Sequence, residues 1–296
     1  MGDTFEGRVI VNFGRHMTVE TSVGEQLECR IKGRNLRPVC GDLVSGERLV
    51  DGDGWITAIQ ERQSLLVRHD SRLGQQPLAA NVDRMFVVVA PRPGFDPALL
   101  DRYLVAAEIL KIPPFILLNK TDLLNTPRPA VCEQALDEFA AIGYTILKTS
   151  AVSGAGIHAL GESLRGHTAV VVGQSGTGKS SLLKALVPAA EIRIGEISQA
   201  TDEGRHTTTV SALYHLPGGG DLIDSPGVRG FQLWPIPVRD LADGFVEFRT
   251  CPGKCKFSDC SHLHEPGCRI TAAVGNGAIS RRRYESYRTL SARSTD

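Results

Sequence analysis

Three changes of rhythm along the 296 residues predict a multidomain α/β protein. Short alternating strands, broken by Gly and Asp, fill the first sixty or so residues. Apolar strand-like runs then alternate with helical periods, and a Cys/His cluster followed by a helix-like tail closes the chain. The expected architecture is a small closed β-barrel, a doubly wound and mostly parallel sheet, and a small helical module organised by metal.

The barrel is expected over residues 1–63. EGRVIVNFGRHMTVET alternates apolar and polar residues around Gly14, and LECRIKGR resumes the pattern up to Gly33. The segments DLVSGERL and GWITAIQE follow between Gly and Asp clusters. Four or five short strands without a helix fit an OB-fold.

The doubly wound sheet is expected over 64–231. MFVVVA (85–90) is a continuous apolar run suited to a buried parallel strand. Asp96 caps a predicted helix with Pro97 in its first turn, and apolar residues recur through DPALLDRYLVAAEIL. FILLN, a helix near 129–141, YTILKTS, a helix near 156–165 and TAVVVG continue the alternation. SALYHLP and GDLIDSPG read as neighbouring strands joined at Gly218–Gly220. Trp234, Pro235 and Pro237 then mark a boundary, and the helix ISRRRYESYRTLSAR lies in the last part, 232–296.

Composition narrows the class. Hydrophobic residues make up 42% and charged residues 22%, ordinary values for a soluble globular protein. No apolar run reaches membrane-spanning length, and MGDTFEGRV lacks a signal peptide's features, so a cytoplasmic monomer with no membrane partner is expected. Seven cysteines cannot all pair, and four of them crowd into 251–268, which suggests metal before disulfides. A net charge of zero says nothing of nucleic acid. Two local runs stand out: Arg30, Lys32, Arg34 and Arg37, and then Arg281, Arg282, Arg283 and Arg288 with Tyr284 and Tyr287 interleaved. Either run taken alone reads as a solvated polar face, and the Arg/Tyr run would supply phosphate contacts and stacking to an RNA partner.

VVVGQSGTGKSSLLKAL places an apolar strand, a Gly-rich loop and a helix in the order a phosphate-binding loop requires. Gly173, Gln174, Ser175, Gly176, Thr177 and Gly178 supply backbone N–H groups at a helix N-terminus, with Ser181 in the following turn. Lys179 is expected on the β- and γ-phosphates and Ser180 on Mg²⁺. DSPG puts Asp224 at a strand end, as a second Mg²⁺ group, with Gly227 near the γ-phosphate. In GRHTTT, Thr207, Thr208 and Thr209 could each complete the Mg²⁺ shell; Thr208 is the choice.

The base is read elsewhere. Asp122 of NKTD can accept hydrogen bonds from guanine N1–H and its exocyclic amine, which adenine cannot offer. Asn119 would brace the purine edge, the Lys120 stem would lie along the base, and Thr121 completes the turn. Ser150-Ala151, after the next strand, would support O6. This makes GTP and GDP the expected nucleotides. The motif order is a cyclic rotation of that of ordinary GTPases, so the sequence predicts a circularly permuted GTPase whose binding loops still meet at strand C-termini. The position after Asp-x-x-Gly is Val228, which cannot orient water. His206 is the best intrachain substitute.

CPGKCKFSDCSHLHEPGC holds Cys251, Cys255, Cys260, His262, His264 and Cys268. Four of these suffice for a closed tetrahedral Zn²⁺ site, which is structural. By spacing alone Cys251 could replace Cys255, and His264 could replace His262.

With NKTD, TSA, GQSGTGKSS, GRHTTT, DSPG and the cysteine cluster in this order, the chain resembles the RsgA family of small ribosomal subunit biogenesis GTPases, the YjeQ/YloQ group, from end to end. The resemblance implies an OB-fold, a permuted GTPase domain and a C-terminal zinc domain, with one structural Zn²⁺ on Cys255, Cys260, His262 and Cys268. It also points at His206 in catalysis. It implies binding to the small ribosomal subunit and its rRNA, with hydrolysis stimulated by that subunit. The alternative is an RNA-binding adaptor in which GTP is a structural ligand.

Overall fold

A computed structural model of the chain describes residues 3–33, 35–50, 52–70, 74–124, 130–187, 210–224, 236 and 238–292. Five strands open the fold: β1 (Thr4–Asn12), β2 (His16–Thr21), β3 (Gln26–Ile31), β4 (Leu43–Arg48) and β5 (Gly54–Ile59). β1 pairs with β2 and β4, β2 with β3, β3 in parallel with β5, and β5 with β4, so the strands close into the expected OB barrel. Alternation turns Phe5, Val9, Met17, Val19, Cys29 and Ile56 inward.

Two strands that the sequence pattern did not announce follow. β6 (Leu65–Asp70) and β7 (Gly74–Ala80) pair antiparallel in a sheet of their own. Gln75, Gln76 and Pro77 interrupt the β-branched alternation by which strands are read, and Pro77 confines the pair to an edge position.

Five parallel strands form the central sheet: β8 (Arg84–Val89), β9 (Pro114–Leu118), β10 (Thr145–Lys148), β11 (Thr168–Gly173) and β13 (Asp221–Asp224). Their order is β10-β9-β8-β11-β13, and β12 (Ser211–His215) joins antiparallel beyond β13. α1 (Pro97–Ile109), α2 (Ala130–Ile142), α3 (Ile157–Leu164) and α4 (Lys179–Leu186) connect them. The Asp96 carboxylate accepts from Ala98 N–H at 2.9 Å, and Pro97 starts α1, as the sequence predicts. One core packs Val87, Leu104 and Phe139 together, and another packs Phe86, Leu117, Leu164 and Leu182, so both sheet faces are covered. The connections run outward from β8 in one direction and from β11 in the other. The crevice between them is the switch point at which such sheets bind ligands.

The barrel and the sheet are one ladder. Val11 and Asn12 of β1 pair with Ala212 and Ser211 of β12, giving eleven continuous strands. Arg8 ties the seam by donating to Asp221 at 2.5 Å and to Thr168 Oγ at 2.8 Å.

Four short helices follow: α5 (Val238–Asp243), α6 (Val246–Thr250), α7 (Arg269–Gly275) and α8 (Arg281–Ser291). Phe245, Phe248, Ile270, Tyr287 and Leu290 form their core, which also takes in Val105 of α1. Here one expectation is overturned. Arg283 is completely buried, donating to Asp101 at 2.7 Å and to Glu247 at 2.7 and 3.0 Å. Arg282 bridges Asp101 and Glu138. Tyr284 and Tyr287 are buried and donate to the carbonyls of His262 and Ser261. Most of the run read as an RNA-facing surface therefore clamps this module to α1. No helix among the described residues is long and apolar enough to cross a membrane.

Candidate nucleotide site and metal cluster

The C-terminal ends of β9, β10, β11 and β13 lie at the same edge of the sheet, because all four strands are parallel. This brings together motifs up to a hundred residues apart in sequence.

Between β11 and α4 the chain turns through Gln174–Gly178. Gly173 has φ +135°, and a Cβ there would lie 2.4 Å from Val88 O of the neighbouring strand. Gly178 has φ +94°, and a Cβ there would lie 2.4 Å from Asn119 Nδ2. Both glycines are thus required sterically, the second so that the NKTD loop can reach the Gly-rich loop. Thr177 is buried, and Asn119 Nδ2 donates to its carbonyl at 2.9 Å. Lys179 Nζ donates to the carbonyls of Gly173 and Gln174 at 2.7 Å each, which places the ammonium inside the loop at the N-terminus of α4. An anion there meets N–H groups, the helix dipole and a fixed cation.

Asn119, the residue after β9, is buried, and its Oδ1 accepts from Thr149 Oγ at 3.3 Å and Ala151 N–H at 3.4 Å. One side chain so knits three loops. Lys120 takes a left-handed backbone, φ +62°, and reaches over the loop to Gly176 O at 2.6 Å and Arg92 O at 3.3 Å. Thr121 Oγ donates to Thr149 O at 3.0 Å. Asp122 stays exposed, and Ser150 Oγ donates to its Oδ1 at 2.5 Å, which orients the carboxylate without covering its other oxygen. Arg92, Pro93 and Thr149 were not singled out as site residues in the sequence. The turn PRPG at a strand end beside the phosphate loop was the available signal for the first two.

Ser180 is exposed in the first turn of α4, and Asp224 is half-buried at the end of the adjacent β13. A hydroxyl and a carboxylate form an oxygen set suited to Mg²⁺, and these two residues would hold it. Ser175, Gly176 and Ser181 also lie on this edge or the turn behind it. Thr207, Thr208, Thr209, His206, Gly227 and Val228 lie outside the described residues.

In the C-terminal module the ligand atoms of Cys255, Cys260, His262 and Cys268 lie within 4.8 Å of one another. His262 Nδ1 is 3.6 Å from Cys255 Sγ and 3.4 Å from Cys268 Sγ. Cys251 Sγ instead lies against the carbonyls of Pro252 and Arg269, and His264 is exposed. Burial pushes the Cys260 thiol up to about 12. Burial also works against ionising Cys268, but hydrogen bonds from Thr271 and the Ile270 N–H outweigh it and lower that thiol. Burial, with Arg269 nearby, lowers His262 and favours the neutral imidazole a metal needs. Three sulfurs and one nitrogen fit Zn²⁺, and four protein donors close the site. The Glu265 carboxylate gathers the N–H groups of Ser261, Leu263 and His264, which shapes the turn that presents His262.

Comparisons with known proteins point to one family. The RsgA GTPase family model matches residues 59–234. A small ribosomal subunit biogenesis GTPase RsgA from Azotobacter vinelandii is 44% identical over 98% of this chain and 86% of its own length. Another from Vibrio vulnificus, RsgA 1, is 43% identical over 98% and 84%. The crystal structure of YjeQ from Thermotoga maritima superposes with TM-score 0.79 at 32% identity, covering 98% of each chain. That of YloQ, a circularly permuted GTPase, gives 0.75 at 29% identity, covering 98% of this chain and 94% of its own. With the NKTD and GQSGTGKS loops on one sheet edge in permuted order, this chain belongs to the RsgA family of circularly permuted GTPases.

Proposed function

We propose that this GTPase binds the small ribosomal subunit late in its maturation and hydrolyses GTP in response to it. The observation that carries the reading is the Asn119 link between the NKTD, Ser150-Ala151 and phosphate loops, which builds a guanine pocket directly against a triphosphate cradle. Asn119, Lys120, Asp122, Ser150 and Ala151 take the base. Gly173–Gly178, Lys179 and Ser181 take the phosphates. Ser180, Asp224 and Thr208 take Mg²⁺, which stabilises charge on the transferred phosphoryl group. Gly227 is assigned to the γ-phosphate from the DSPG motif, and His206 to orienting the water in place of Val228. The segments 1–63, 64–231 and 232–296 serve as RNA-binding, GTPase and zinc domains; apolar clusters around Val9, Val87 and Phe248 support the division, although Ile10, Val11 and Cys40 pack into the second cluster and Val105 into the third.

The deciding measurement is GTP turnover with and without purified small subunits. Stimulation of at least tenfold is expected, and His206→Ala should remove most of it without changing GTP affinity. Turnover indifferent to subunits would favour the adaptor reading, and an unchanged His206→Ala variant would take that residue out of catalysis.

Zn²⁺ on Cys255, Cys260, His262 and Cys268 supplies part of the folding free energy of this module. Chelation should therefore raise hydrogen exchange across α5–α8 while GTP binding persists. Equal protection before and after chelation, with metal loss verified, would contradict it.

A further inference from the structure

We propose that the outer face of the barrel, closed on one side by the β6–β7 pair, is a cleft for single-stranded RNA in which Trp55 stacks an unpaired base. It deepens the reading that the chain engages ribosomal RNA, and names the site and the form of RNA it takes.

The ladder registers place the residues. Cys29 of β3 points into the barrel, so its neighbour Arg30 points out. Arg30 pairs with His16 across to β2 and with Trp55 across to β5, so the three make one outward row over three strands. A cavity of about 750 Å³ runs along this row. Arg15, His16, Arg30, Arg37 and Trp55 line it, and Gln76 and Pro77 of β7 form its far wall. The volume falls in the range of small-ligand pockets, about 300–1,000 Å³.

Charge separates this face from the rest of the barrel. Arg48 is paired with Glu25, Lys32 with Glu47, Arg62 with Asp42 and Arg8 with Asp221. Arg15, His16 and Arg30 have no acidic partner among the described residues. Two unneutralised guanidiniums beside an aromatic ring suit a phosphodiester that carries a splayed base. The wall at Gln76 and Pro77 makes the face a cleft. A duplex keeps its bases stacked on one another and cannot offer a ring to Trp55. The cleft also adjoins the seam with the GTPase sheet: Asn12, in its lining, pairs with Ser211, the start of the strand into which the threonine run 207–209 leads.

The test uses the full chain carrying Trp234→Phe, which leaves Trp55 as its only tryptophan. A single-stranded RNA of about ten nucleotides, within known site sizes, should quench its fluorescence, and a duplex of equal length should not. Trp55→Ala should weaken binding of that RNA about tenfold, and Trp55→Phe should recover most of the loss. Arg30→Ala should lower the slope of log affinity against log salt by about one. Equal quenching by the duplex, no quenching by the single strand, or full affinity in Trp55→Ala would each overturn the proposal. Retained GTP affinity certifies that the variants are folded. Subunit-stimulated turnover is read separately, so the stacking site and the ribosomal reading fail independently.

Discussion

Asp122→Asn is expected to weaken GTP binding by about two to three orders of magnitude and to shift preference toward xanthosine triphosphate. A carboxylate presents only acceptors, matching guanine N1–H and its exocyclic amine, and hydrogen bonds to charged groups are worth about 1.5–3 kcal/mol each. An amide turned to keep one acceptor faces a donor with a donor at the other, and one buried group is left unpaired. Xanthine carries a carbonyl where guanine carries the amine, so the same amide satisfies it. The fold should not confound the result. The three loops are joined through Asn119, Thr121 and Thr149, whereas Asp122 is exposed and contacts Ser150 Oγ. That hydroxyl can donate to the asparagine oxygen equally well. Isothermal titration with both triphosphates measures the shift, and an unchanged preference would remove Asp122 from the base site.

Such a site is readable in sequence because each motif is local. A strand, a tight turn and a helix start are encoded within ten residues, and a parallel sheet aligns the strand ends wherever the chain is cut. The same reasoning could not choose between His262 and His264, two residues apart in one turn. The structure brings His262 into the cluster through a left-handed backbone, φ +63°. It also failed at α8. An Arg-rich helix reads as a solvated face, since its partners Asp101 and Glu138 lie more than 140 residues earlier and carry no mark of pairing. The seam between β1 and β12 was hidden for a related reason. An edge strand has the same alternation whether its outer side meets water or another strand.

Arg283→Ala is expected to cost about 3–5 kcal/mol, the range for removing one member of a buried ionic cluster. Against a typical total of about 5–15 kcal/mol this is a large fraction of the stability available. Burial opposes the charge on Arg283, yet the bonds to Glu247 and the field of Asp101 hold the guanidinium protonated and raise its pKa. Its Cζ also lies 4.5 Å from the centre of the Phe245 ring, so truncation removes packing along with charge. Once the guanidinium is gone, fully buried Asp101 keeps only Arg282, and Glu247 loses both of its bonds. Arg282→Ala should cost less, because that side chain is one-third exposed and water can take over part of its role. The damage should be regional. Hydrogen exchange is expected to rise in α1 and α5–α8, which share the clamp, and to stay low in β9–β11. The double variant Arg283→Met/Asp101→Asn should recover part of the loss, because it removes the charge left behind by the single change. A single variant as stable as the parent, or a loss spread evenly over the barrel, would show that the zinc module is held to the GTPase by something other than this clamp.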